Sequence, residues 1–216
     1  MTRYDRRVQA LAVCLSGLAG YVDAIGFLEL RGFFVSFMSG NSTRLGVGLA
    51  RWSPQALVAA GLVGSFVVGV VAGSLIGHAA RHRRRPTVLL LVAVLLGVAA
   101  GLSVVGVRTG AIVATGLAMG AENAVFERDG EIHIGLTYMT GTLVKFGQKI
   151  ANALLGGDCF GWLPYLSMWL GLVVGATIGA AVYSALGMTS LGLAALAAAG
   201  SALAARMIDP GRRKID

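Results

Sequence analysis

At two places in this chain, about one hundred residues apart, ionisable side chains interrupt long apolar stretches and could bind or move a charged solute. Asp23 follows some fifteen residues of mostly apolar sequence, and Glu122 with Asn123 holds the corresponding place in a later stretch. A carboxylate at such depth is costly in a membrane and normally faces a cavity or a charged partner. Each acid is followed by a motif that ends in a cation. Met38-Ser39-Gly40-Asn41-Ser42-Thr43-Arg44-Leu45-Gly46 recurs 101 residues later as Met139-Thr140-Gly141-Thr142-Leu143-Val144-Lys145-Phe146-Gly147. Ser, Thr, Gly and Asn in an apolar segment mark irregular backbone that is buried in protein or lines a water-filled cavity. A helix restarting at Gly40 or Gly141 would aim unpaired N–H groups and a positive dipole end at a polar or anionic solute. The plainer alternative is that these small residues only let helices cross closely. The candidate solute-binding residues are therefore Asp23, Ser39, Gly40, Asn41, Arg44, Glu122, Asn123, Thr140, Gly141, Thr142 and Lys145. Asp23 is expected to pair with Arg44, and Glu122 with Lys145, either as static ion bridges or as groups that take part in solute or proton movement.

Other chemistry is not indicated. His78, His82 and His133 lie near segment ends or loops without metal-ligand spacing, and Cys14 and Cys159 give neither a disulfide framework nor a ligand pattern, so packing is the expected role of each cysteine. There is no Gly-rich phosphate loop, nucleophile elbow or metalloprotease signature. No catalytic residue, metal or cofactor is expected, and the chain does not read as an enzyme.

The elements that position these residues follow from composition. The 216 residues are 56% hydrophobic and only 13% charged, with a mean hydropathy of +0.77, against about 25% charged in ordinary globular chains. Long unbroken apolar runs and few aromatics point to helices rather than a barrel. The net charge of +8 sits in short clusters between apolar runs, as at a cytoplasmic membrane surface, and not in a nucleic-acid-binding pattern. No cleavable leader is apparent, so the first segment is expected to stay as an anchor.

A bilayer core of about 30 Å needs about 20 residues of helix. Six segments qualify, at about 8–28, 54–78, 87–106, 110–126, 163–186 and 189–206. Two further stretches, about 34–50 and 133–154, carry the motifs. If the N-terminus is cytoplasmic and neither motif stretch spans, thirteen of the eighteen basic residues lie inside: Arg3, Arg6, Arg7, Arg81, Arg83, Arg84, Arg85, Arg128, Lys149, Arg206, Arg212, Arg213 and Lys214. Were both to span, the block at 81–85 would face outward. The sequence thus predicts an all-α membrane protein with six transmembrane helices and two short re-entrant or broken motif helices, as one membrane domain over 1–216. Both termini are expected in the cytoplasm, in a bacterial inner membrane.

Internal similarity divides the chain at about 8–106 and 110–206. Besides the motifs, Gly20-Tyr21-Val22-Asp23-Ala24-Ile25 aligns with Gly120-Ala121-Glu122-Asn123-Ala124-Val125. Trp52-x-Pro54 aligns with Trp162-x-Pro164, and Gly61, Ser65 and Gly69 with Gly171, Gly175 and Gly179. With three spans per half, the second half enters from the opposite side, giving the inverted 3+3 repeat of many transporters and channels. The tryptophans read as interfacial anchors before a proline in the first helical turn. The stripe Gly61, Ser65, Gly69, Gly73 and Gly77 reads as a helix-packing seam.

At these residues the chain resembles the YoaK-like family of bacterial membrane proteins, the domain of unknown function numbered 1275. The carriers are the block from Gly20 to Leu28, Phe34 to Asn41, Ala118 to Ala124 and Thr137 to Thr142; Glu122 departs from the pattern, which typically has Gln there. The resemblance implies a polytopic membrane protein and no particular substrate. From the residues themselves, the expected function is a small-solute or ion transporter or channel with a midplane site between the two motif segments. Its partners would be the lipid bilayer and a small polar or anionic solute, with no nucleic acid, and a homo-oligomer is compatible with the seams. A non-transporting membrane scaffold or partner-binding protein is the alternative.

Overall fold

The computed structural model describes residues 5–128, 131–132 and 135–208. Arg3, His133, Arg212, Arg213 and Lys214 lie outside them. The elements are α1 (Arg6–Glu29), α2 (Met38–Ala50), α3 (Gln55–Ala80), α4 (Arg84–Val104), α5 (Arg108–Glu122), α6 (Met139–Leu154), α7 (Leu163–Leu186) and α8 (Leu191–Ile208). Between α5 and α6 a 3-10 turn, Asn123–Phe126, leads into a two-residue antiparallel pairing of Glu127–Arg128 with Glu131–Ile132. Among the described residues, three helical stretches are long and apolar enough to cross a membrane: Arg6–Glu29, Gln55–Val104 and Leu163–Ile208. The second and third each hold two helices, α3 with α4 and α7 with α8, reversed at a tight corner. Arg81 makes one corner with φ +47° and ψ −110°, and Gly187 the other with φ +58° and ψ −147°. Gly187 adopts this backbone without strain, whereas Arg81 carries a Cβ into a region that L-residues avoid.

Glycine decides which helices meet. α1 lies along α7 and α3 along α5. An added Cβ at Gly171, Gly175 or Gly179 of α7 would strike the backbone of Val13, Gly17 or Tyr21 of α1, and Gly20 would strike Leu172. The contact numbers rise together, so α1 and α7 run parallel. In the same way Gly69 and Gly73 of α3 abut Leu117 and Ala121 of α5, and Gly120 abuts Phe66, so this pair is parallel too. The seam of α3 toward α5 is therefore Ser65, Gly69 and Gly73, while Gly77 lies against the Arg84 side chain of α4. Gly61 is exposed with open space around it, which corrects the register by one helical turn, the residue facing Gly116 being Ser65.

α4 and α8 pack on each other, α4 also covers α5, and α8 also covers α1. The core is filled by small residues and by Leu15, Ile25, Leu89, Leu96, Met119, Met168 and Leu191. Leu57, Val67, Val68 and Leu75 of α3 and Val174, Ile178 and Leu186 of α7 stay exposed, the pattern of a surface that faces lipid. Cys14 is exposed on α1, not packed inside, and Cys159 is exposed in the loop before α7.

Candidate functional site

The first motif region is organised by two side chains that substitute for missing helix hydrogen bonds. Between α1 and α2 the chain leaves the helix at Arg31 and Gly32 and runs irregularly to Phe37. Its backbone groups need partners wherever water is excluded. Asp23 supplies two: its Oδ1 accepts from the N–H of Val35 and of Ser36, each at 2.8 Å. Asn41, fully buried, supplies two more, donating through Nδ2 to the Phe34 carbonyl at 2.6 Å and accepting from the Phe34 N–H at 3.1 Å. The segment is thus stitched to α1 by a carboxylate and to α2 by an amide. Phe27, Phe34 and Phe37 stack beside it, with centroids 5.0 and 5.1 Å apart. Gly40 sits against the Phe37 and Phe34 rings.

The second region repeats part of this. Asn123, buried, donates to the Met119 carbonyl and accepts from the Thr137 hydroxyl at 3.0 Å. Thr142, in the place of Asn41, turns its hydroxyl back to the Tyr138 carbonyl at 3.2 Å. Both motifs do start helices, at Met38 and Met139.

The expected acid–cation pairs do not form. Asp23 is taken up by backbone N–H groups, and Arg44 lies 5.0 Å over the Phe33 ring. Glu122 is completely buried with both carboxylate oxygens unpartnered, while Lys145 is exposed. The physical reason is that a backbone gap sits closer to Asp23 than any guanidinium, and satisfying two N–H donors serves the same charge. Ser39, Thr140 and Gly141 are exposed, with open space around Gly141. α2 packs on α3 and α6 on α7, so the two motif helices flank the bundle separately. A groove of about 410 Å³ at the starts of α1 and α7, lined by Arg6, Gln9, Cys14 and Ser167 among others, contains none of the candidate residues.

Two clusters escape the motif reading. At the end of α1, Glu29 accepts a hydrogen bond from the Tyr183 hydroxyl of α7 at 2.7 Å and lies 3.8 Å from Nε of Arg108, which heads α5. Beyond the end of α5, Glu127 accepts from the Ser74 hydroxyl of α3 at 2.6 Å and pairs with Arg84, which heads α4, at 2.5 Å. The Arg84 Nε also donates to the Ala124 carbonyl at 3.0 Å. In both, an acid closing a central helix is held by a hydroxyl of the parallel partner and by an arginine heading another helix. The clusters lie at opposite ends of α5, whose 15 residues give about 22 Å at about 1.5 Å per residue. Their sequence signal was available: Glu29 and Glu127 follow the Gly20 and Gly120 blocks by nine and seven residues. Trp162 donates its indole N–H to the Cys159 carbonyl at 2.8 Å, whereas Trp52 is 95% exposed.

Comparison with known proteins agrees with a membrane protein. A UPF0700 transmembrane protein of Rhizobium meliloti (strain 1021) is 38% identical over 191 residues, which cover 88% of this chain and 82% of that protein. No solved structure matches the chain. The family model described as "Protein of unknown function (DUF1275)" matches residues 11–204, from the first turns of α1 to the last turns of α8. The chain is therefore a membrane protein and belongs to the DUF1275 family.

Proposed function

We propose that this chain carries a small polar or anionic solute, or an ion, across the bacterial inner membrane, and that two interleaved inverted repeats are its moving parts. The observation that carries the reading is reciprocity. The first helix of each half lies parallel against the third helix of the other, α1 on α7 and α5 on α3, through glycine seams. Gly69, Gly73 and the Arg81 corner correspond to Gly175, Gly179 and the Gly187 corner at one constant offset of 106 residues. Such repeats typically rock against one another around a central site.

In this reading α1, α3, α4, α7 and α8 span, α5 spans only together with the 3-10 turn Asn123–Phe126 that prolongs it, and both termini are cytoplasmic. α2 and α6, with 13 and 16 residues, reach about 20 and 24 Å at about 1.5 Å per residue and enter from opposite faces without crossing. The Glu29 and Glu127 clusters then close the outer and inner ends. The inner one is an ion pair at 2.5 Å with both side chains under one-fifth exposed, and the outer one spans 3.8 Å with Arg108 79% exposed. This is a state held shut more firmly at the cytoplasmic end. Asp23, Asn41, Asn123 and Thr142 shape the motif segments. Ser39, Gly40, Thr140 and Gly141, at the heads of α2 and α6, and Arg44 and Lys145, further along the same helices, meet the solute.

The test is flux in proteoliposomes of the purified chain against a panel of anions, cations and neutral polar solutes. The expected result is uptake of one class, reduced at least tenfold by Arg44→Gln or Lys145→Gln in folded protein. Folded protein with no flux of any class would replace transport by a scaffold or partner-binding role.

A further inference from the structure

The side chain that the reading above leaves unused is Glu122. It is the last residue of α5, where the helix tightens into the 3-10 turn Asn123–Phe126, and it is completely buried with neither oxygen hydrogen-bonded among the described residues. Its neighbours in sequence are firmly placed. Ala121 abuts Gly73 of α3, and Asn123 bonds to Met119 and Thr137.

No charge on the helices packed around α5 answers it. On α1, Asp23 binds the Val35 and Ser36 N–H groups, Glu29 binds Tyr183, and Arg6 and Arg7 are exposed. On α3, His78 is exposed. On α4, Arg84 binds Glu127 and Ala124, and Arg85 lies over the Phe126 ring at 5.5 Å. An isolated carboxylate charge in such a place is strongly disfavoured, and a buried polar group without a partner calls for a specific explanation.

Packing does not supply that explanation. The corresponding residue of the first half is Val22, and it is just as completely buried. An apolar side chain therefore satisfies the fold at this position, and the carboxyl does something else. A hard metal cation needs several oxygen ligands, and among the described residues Glu122 belongs to no group of three acidic, histidine or cysteine side chains that could hold one. A proton needs only one.

We propose that the Glu122 carboxyl is a proton-binding site in the membrane interior, loaded and unloaded through one aqueous phase at a time, so that a proton is the ion coupled to movement of the two halves. Loading forms one O–H bond on a carboxylate oxygen with a proton taken from water. Unloading breaks that bond, leaves the electron pair on the oxygen and returns the proton to water on the other side. The seam residues Gly120 and Ala121 tie this end of α5 to α3, so sliding of that pair is what changes the access of Glu122. The coupling half of the proposal rests on the transport reading; the proton site does not.

The experiment is infrared difference spectroscopy of the full chain in phosphatidylcholine–phosphatidylglycerol vesicles, titrated with pH and exchanged into D₂O, for wild type against Glu122→Gln. Glu122→Val, which copies Val22, is the second variant and keeps the comparison open if the amide fails to fold. The expected result is one carboxylic-acid C=O band per chain that titrates reversibly, shifts in D₂O and is missing from both variants. Absence of that band at every pH, or a band that neither titrates nor exchanges, overturns the site. A titrating band in a protein with no solute flux removes the coupling and the transport reading while the proton site stands; flux that is unchanged in both variants overturns the coupling alone.

Discussion

Removing the Asp23 carboxylate tests how the irregular segment before α2 is held. Its Oδ1 accepts two backbone N–H groups at 2.8 Å, and hydrogen bonds to a charged group contribute about 1.5–3 kcal/mol each. Asp23→Ala therefore costs about 3–6 kcal/mol, because the Val35 and Ser36 N–H groups both lose the carboxylate that accepts from them. Asp23→Asn keeps an acceptor oxygen but a neutral one, at about 1 kcal/mol per bond, so it costs roughly 1–4 kcal/mol. Arg44 holds the same segment by another route, stacking on Phe33, and Arg44→Gln costs about 0.5–1 kcal/mol. The two grips act separately, so the double variant Asp23→Asn with Arg44→Gln is at least as unstable as the Asp23→Asn single. Thermal unfolding in detergent across the four proteins of the cycle reads this out. A double variant more stable than Asp23→Asn alone would mean that the first change had stranded a buried cation, and the backbone-clamp account would fall.

Three further expectations concern the frame. Gly175→Ala puts a Cβ 2.7 Å from the Gly17 carbonyl carbon and should cost at least about 1–3 kcal/mol by overpacking, whereas Gly61→Ala, with open space around it, should gain up to about 1 kcal/mol of helix propensity; equal melting shifts would contradict the seam. Arg81→Gly should relieve the φ +47° corner and raise stability by about 1 kcal/mol; unchanged or lowered stability argues against strain there. A single cysteine at position 83, in a chain lacking Cys14 and Cys159, should react with an impermeant thiol reagent only from the cytoplasmic side; labelling from outside inverts the proposed topology.

Much of the frame was legible because apolar length and charge placement act locally. The positions of the eight helices follow from runs of residues that any helix would bury, although α5, expected to be one of six long segments, has 15 residues against 16 in the motif helix α6, and Pro54 and Pro164 mark the starts of α3 and α7. The motif helices begin at Met38 and Met139, within two residues of the glycines that suggested a restart. Partnerships were harder. Which glycines form a seam depends on which helix arrives, and a stripe from Gly61 to Gly77 has no mark on it saying that only its middle part meets α5 while Gly77 meets Arg84 of α4. The charges were misassigned for a related reason. Spacing places Asp23 and Arg44 within reach of one another, but it cannot reveal that the intervening backbone leaves two N–H groups nearer still. Glu29 and Glu127 were passed over because they sit at segment ends, where an acid looks like ordinary solvated charge, and only tertiary contact with Tyr183 and Ser74 distinguishes them.

The partnership of α1 with α7 has a consequence for biogenesis. The Ser16 hydroxyl closes on the Met168 carbonyl, 152 residues further along. At synthesis rates of about 5–20 residues per second, the first helix waits roughly 8–30 s in the bilayer before its permanent neighbour exists. Until then Gly17, Gly20, Ser16 and Tyr21 face lipid or whatever insertion machinery covers them. A nascent chain cut anywhere before α7 leaves α1 without that neighbour, so truncated products should be cleared as unassembled, and two separately encoded halves should accumulate only when both are made together.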